Sequence, residues 1–134
     1  PITPYKHTMH RPMLYIDIGD VCEAYESFVK RTLSGEISKT GDSLSHIVNM
    51  YYPKPITILE LAKLVGDTTA KYTHGRVRPK IEIVDKGVPI LFSKDEKKRM
   101  KADISKARRL LRMNRLLSPK ESIEKIVARR LNGV

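Results

Sequence analysis

Three times in this chain a short polar residue stands three positions ahead of a glutamate at the head of an apolar run: Asp20 before Glu23, Thr57 before Glu60, and Ser118 before Glu121. At each, the first side chain can accept from the backbone N–H three residues on, while the glutamate reaches back to the first residue's own N–H. That reciprocity satisfies donors that the start of a helix otherwise leaves unpaired. Three helix starts are set by local chemistry, and the stretches between them must pair or connect.

Apolar spacing extends each start into a helix. Val21, Ala24, Tyr25, Phe28, Val29 and Leu33 follow Asp20 at helical intervals, and Gly35 supplies the stop. The run TILELAKLV presents Ile58, Leu61, Ala62 and Val65 on one side, with Gly66 as its expected end and a polar, basic loop over 67–79. Asp103 predicts a further cap, for a helix carrying Ile104, Ala107 and Leu111. Ser118, Pro119 and Glu121 open the last helix, with Ile123, Ile126, Val127 and Leu131 as its expected buried side.

The intervening apolar stretches are rich in β-branched and aromatic residues. MLYIDI at 13–18, HIVNMYY at 46–52 and KIEIV at 80–84 read as strands. VPILF is a further apolar stretch, and the charged SKDEKKRMK after it is expected to be mobile. The predicted order is β-α-β-α-β-α-α, a mixed α/β (α+β) lobe forming one domain over residues 1–134. A domain of this length can bury roughly two thirds of its unfolded surface.

No apolar run approaches the roughly 20 residues that span a bilayer, so a cytoplasmic protein without a membrane partner is expected. The single cysteine, Cys22, has no internal disulfide partner and reads as a buried thiol. His7 and His10 are the one close histidine pair and have no third ligand near them, so no metal site is expected. The absence of glutamine and tryptophan, with 31% charged residues, leans toward a thermophilic source.

The net charge of +11 is unevenly placed. From Lys94 to Val134 there are fourteen Lys or Arg against five Asp or Glu, which is +9 in the last 41 residues and +2 in the first 93. Such asymmetry points to an anionic partner, either the phosphates of a small ligand or nucleic acid. No catalytic residue is assigned. The chain has no Gly-x-Gly-x-x-Gly turn, no Gly-x-x-x-x-Gly-Lys loop and no Gly-x-Ser-x-Gly elbow, and none of its six tyrosines has a lysine four positions later.

Five segments in order carry a family resemblance: RPMLYIDIGDVCEA, HIVNM, TILELAKLV, ADISKARRLL and PKESIEKIV. Together they resemble the C-terminal half of an extended short-chain dehydrogenase/reductase, of the NAD-dependent nucleotide-sugar epimerase and dehydratase family. The resemblance implies a substrate-binding lobe whose partner, an N-terminal Rossmann domain with NAD or NADP and a Tyr-x-x-x-Lys pair, is missing from this chain. The lobe alone would then hold no cofactor and catalyse nothing. It also implies an anionic, nucleotide-sugar-like ligand, with Arg11 on its diphosphate, Arg99 as a second cation, and Asp17 and Asn49 at strand ends lining the pocket. Arg11 lies two residues earlier than the family's arginine, and Met13 stands in the usual place. Surface left bare by a missing half would favour self-association into a homo-oligomer.

The rival expectation is nucleic-acid binding by the two C-terminal helices. Helices at about 103–113 and 118–131 would be joined by a short connection, and Arg108, Arg112 and Arg115 recur at a spacing that would gather them on one helical side.

Overall fold

The computed structural model describes residues 1–37 and 47–131. Among them it is a mixed α/β fold of five helices and one two-stranded sheet. The order is β1 (Pro12–Met13), α1 (Ile18–Leu33), β2 (Ile56–Thr57), α2 (Ile58–Tyr72), α3 (Glu96–Arg99), α4 (Ser105–Leu111) and α5 (Pro119–Leu131). β1 and β2 pair antiparallel, Pro12 opposite Thr57 and Met13 opposite Ile56.

Two of the three expected capping boxes form as read. The Thr57 side chain accepts from Glu60 N–H at 3.2 Å and Glu60 accepts from Thr57 N–H at 2.9 Å. Ser118 Oγ accepts from Glu121 N–H at 3.3 Å, and Glu121 takes the Ser118 N–H at 2.8 Å. The first box does not form, and the cap of that helix lies three residues earlier. Helix α1 begins at Ile18 and its cap is Asp17, whose side chain accepts from Gly19 N–H at 2.8 Å; Asp20 lies inside the first turn. The strand expected over 13–18 therefore shrinks to Pro12–Met13, because Ile18 at the end of the apolar run already carries helical backbone. At the other end α1 stops at Leu33, and Gly35 stands just beyond with φ +77°, the left-handed conformation expected of a terminating glycine.

Helix α2 runs six residues past Gly66 to Tyr72, so the expected loop starts later than its composition suggests. Gly66 is buried, and a methyl group there would meet the Pro79 carbonyl oxygen at an ordinary 3.8 Å. The helix keeps a glycine it does not need sterically. Gly66→Ala is expected to stabilise the fold by about 0.5–1 kcal/mol, read as a rise in thermal midpoint.

Of the second expected strand, residue 46 lies outside the described residues and 47–52 form no strand; Tyr52 N–H donates to Tyr15 C=O at 2.6 Å. The third, 80–84, pairs in parallel with residues 2–6. Ile2 bridges Ile81 and Tyr5 bridges Val84, through four backbone hydrogen bonds of 2.8–3.0 Å. The charged segment expected to be mobile contains the short α3, tied to α2 by Lys97 Nζ on both Glu60 oxygens at 2.8 and 2.7 Å.

The core is small: Ala24 of α1, Ile104, Ala107 and Leu111 around α4, and Met113 and Leu116 beyond it, with Phe28, Val48, Met50, Tyr51 and Tyr52 packed against them. Helix α4 has only seven residues, too few to stand alone. It starts at Ser105 rather than at the Asp103 cap, although the Asp103 carboxylate accepts the Ser105 N–H at 2.8 Å. Helix α1 satisfies its open end: Ser27 Oγ donates to Leu111 C=O at 2.7 Å and Arg31 Nη1 donates to Leu110 C=O at 2.7 Å. Helix α5 lies along α2, with Lys71 bridging Glu124 at 2.9 Å. Ile126 and Leu131, expected to be buried, are half exposed; the residue that α5 buries completely is Ser122.

Candidate functional site

Two cavities flank α1. One is an apolar cleft of about 390 Å³ between the middle of α1, Ile16, the Val48–Met50 segment and Leu111. The other, of about 540 Å³, is polar and lies between the first turns of α1, the 112–117 connection and α5.

The apolar cleft continues into the side of α1 that helical spacing marks as apolar in the sequence. At 100° per residue, Val21, Ala24 and Phe28 face the core, but Ile18, Tyr25, Val29 and Leu33 fall on the next sector of the same helix. Their exposures are 74, 70, 52 and 83%. Cys22 lies in that sector too and is exposed, contrary to the expected buried thiol. The apolar arc of α1 is about twice as wide as its own core can cover.

The four residues expected to line a ligand pocket do not converge through any hydrogen bond or ion pair to one another among the described residues. Arg11 is exposed, at the edge of β1, with its guanidinium carbon 5.9 Å from the centre of the Phe92 ring. Phe92 is the residue the sequence reading missed; its signal was the apolar VPILF stretch. Arg99 is the exposed last residue of α3, which Lys97 fastens to Glu60 at the start of α2. β1 pairs with Thr57 at that same start, so the elements bearing Arg11 and Arg99 both meet the N-terminal end of α2. Asn49 is exposed between Val48 and Met50, on the rim of the apolar cleft.

Asp17 does something different. It is buried at 5% exposure and bonded to Ser122 Oγ on α5 as well as to Gly19 N–H, with Lys125 Nζ 4.0 Å away. The Ser122 hydroxyl, the Gly19 amide and the Lys125 charge outweigh the cost of burial and hold its carboxyl below the usual aspartate range. Beside it Asp20 accepts Leu117 N–H at 2.8 Å. Two aspartates at the start of α1 thus clamp the approach to α5, and neither is free for a ligand.

The N-termini of the three long helices are closed by the chain's own carboxylates: Asp17 on α1, Glu60 on α2 and Glu121 on α5. For Glu60, desolvation raises the carboxyl but is outweighed by Lys97 and the Thr57 amide, and the net direction is down. These are the positions where a dinucleotide pyrophosphate would sit on free amides. At Gly19 a Cβ would stand 2.9 Å from Asp17 Oδ1, which shows how closely the cap fills that space.

The C-terminal arginines are also arranged differently from expectation. Helix α4 ends at Leu111, and Arg112 takes a left-handed backbone with φ 53° that turns the chain away. Arg108, Arg112 and Arg115 therefore do not share one helical side. Arg112 pairs with Glu36 at 2.9 Å and Arg115 pairs with Glu121, so the polar cavity they line with Lys125 is balanced by carboxylates, including Asp20 and Glu23 in its own wall. Among the described residues no group of three His, Cys, Asp or Glu could hold a metal ion, and no helix is long and apolar enough to cross a membrane.

No protein-family model and no curated protein matches this chain.

Proposed function

We propose that this chain is the substrate-binding lobe of an NAD-dependent nucleotide-sugar epimerase or dehydratase, inactive by itself and completed by a cofactor-binding Rossmann half. The observation that carries this reading is the bare apolar face of α1, Ile18, Tyr25, Val29 and Leu33, running into the cleft lined by Tyr25, Phe28 and Met50. A helix with two apolar sectors is built to pack on two sides, and the second side has no occupant among the described residues. In this reading the missing half covers it; in the isolated chain the same face drives self-association.

The ligand is a nucleoside diphosphate sugar. Arg11, stacked on Phe92 with no carboxylate partner among the described residues, offers a fixed planar fork suited to diphosphate oxygens. Arg99 adds a second positive charge from the same end of α2, and Asn49 positions the cleft rim. Asp17 contributes by holding the joint that aims this end of the chain. Hydride transfer belongs to the missing half, which supplies the cofactor and the tyrosine.

Titration calorimetry with uridine, guanosine and thymidine diphosphate sugars tests the ligand class. One class is expected to bind, Arg11→Ala to weaken it about tenfold or more as a charge-assisted contact is lost, and NAD to give no heat. The coding sequence upstream of the Pro1 codon tests the architecture. An open frame with a glycine-rich turn and a Tyr-x-x-x-Lys pair supports it, and a start codon next to Pro1, or turnover of a nucleotide sugar by this chain with NAD, defeats it.

A further inference from the structure

Charge counting directs attention to the last 41 residues, where Lys97, Lys98, Arg112, Arg115 and Lys125 meet carboxylates, but a second basic cluster lies outside them. Between Asp67 and Glu82 there is no acidic residue, while Lys71, Arg76, Arg78 and Lys80 stand there with His74. Lys71 is matched by Glu124 and Lys80 by Glu82. Arg76 and Arg78, both exposed, meet no carboxylate among the described residues.

Both guanidinium groups fold onto one turn of backbone. Arg76 Nε donates to Thr73 C=O at 3.4 Å, and an Arg78 terminal nitrogen lies 3.4 Å from where a Cβ on Gly75 would be. Backbone and side-chain hydrogen bonds hold the turn beneath them. Gly75 N–H reaches back to Ala70 C=O at 2.8 Å, Arg76 N–H to Thr73 C=O at 3.0 Å, and Thr73 Oγ accepts Val77 N–H at 3.1 Å. Two successive residues, His74 and Gly75, are left-handed at φ 52° and 78°. Left-handed backbone at a residue other than glycine is uncommon and is kept where the surroundings enforce it. Two cations on one turn, with no carboxylate partner among the described residues, favour an anion beside them.

We propose that this turn, at the C-terminal end of α2, is a binding site for the phosphodiester backbone of single-stranded nucleic acid. Arg76 and Arg78 grip phosphate oxygens with planar forks. Tyr72, 36% exposed on the last turn of α2, supplies a ring for a base to stack on. Lys71 Nζ, bridged to Glu124, stands 5.3 Å from the centre of that ring. The site is independent of the proposed nucleotide-sugar pocket. Helix α2 has 15 residues, so its two ends lie about 22 Å apart.

The test is fluorescence anisotropy of the full chain with a labelled single-stranded oligothymidylate of about 20 nucleotides, across a salt series. Arg76→Ala with Arg78→Ala is expected to weaken binding at least tenfold and to flatten the log affinity against log salt plot by about 1.4, two phosphate contacts at about 0.7 each. Arg78→Lys, which keeps the charge and loses the fork, should fall between. Arg112→Ala with Arg115→Ala should change affinity less than about twofold, since both residues already face carboxylates. Thermal melts of the surface variants should match the parent. Equal loss from the two double variants, absence of oligonucleotide binding at low salt, or capture only by anionic vesicles would each overturn the proposal.

Discussion

Asp17→Ala is expected to destabilise the protein by about 2–4 kcal/mol, measured by urea unfolding. The substitution removes the cap of a 16-residue helix and leaves Ser122 Oγ, the one fully buried side chain of α5, without its acceptor. A helix cap alone is worth about 1 kcal/mol; the orphaned buried hydroxyl supplies the rest. Asp17→Asn keeps one acceptor oxygen and should cost less. The same contact sets an acid limit. The folded-state pKa of Asp17 is depressed, so its contribution is fully present above the unfolded aspartate value near 3.8 and is lost as pH falls through the lower folded value. Glu60 and Glu121 shift in the same direction. Stability should be flat from neutrality to about pH 5 and fall steeply below 4, and Asp17→Asn should shallow that fall.

The second large effect is in the core. Ile104→Ala is expected to cost about 3–4 kcal/mol, and Leu111→Ala about 2–3 kcal/mol, although the two lose the same number of carbons. Ile104 is 4% exposed and enclosed by the cluster, so its removal leaves a void. Leu111 is 6% exposed but forms one wall of the 390 Å³ cleft, which can already admit solvent or neighbouring side chains. Paired denaturation curves would show the difference; equal losses would mean that the cleft wall is as tightly packed as the core.

What the sequence revealed and what it concealed follow one line. Thr57–Glu60 and Ser118–Glu121 are readable because both partners of each box lie within four residues. The start of α1 is misplaced by three because Asp17 and Asp20 are both plausible caps, and the choice is made by Ser122 on α5, 105 positions away. The end of α2 is hidden because Gly66 reads as a stop, whereas a glycine inside a helix costs only about 1 kcal/mol and the helix runs on to Tyr72. Periodicity located the apolar sector of α1 but could not say that half of it would be bare, since period measures direction and not what lies opposite. The stretch 47–52 has strand composition, but it joins the fold by packing Val48, Met50, Tyr51 and Tyr52 on the core rather than by a strand ladder. Of the candidate site, Arg11 and Arg99 were legible as charges; the ring beneath Arg11 was not, because Phe92 lies 81 positions further on.

The parallel pairing of residues 2–6 with 80–84 has a kinetic meaning. Its bridges join positions 79 apart in sequence, Ile2 with Ile81 and Tyr5 with Val84. Closing a loop of that length costs about 4 kcal/mol of chain entropy before the four hydrogen bonds return anything. The helices, whose contacts are local, can form in microseconds; this ladder must wait for α1 and α2 to bring its halves together. The chain's first residues are therefore the last to be secured, and their amides should exchange with deuterium earlier than those of α2, whose ends they help to tie.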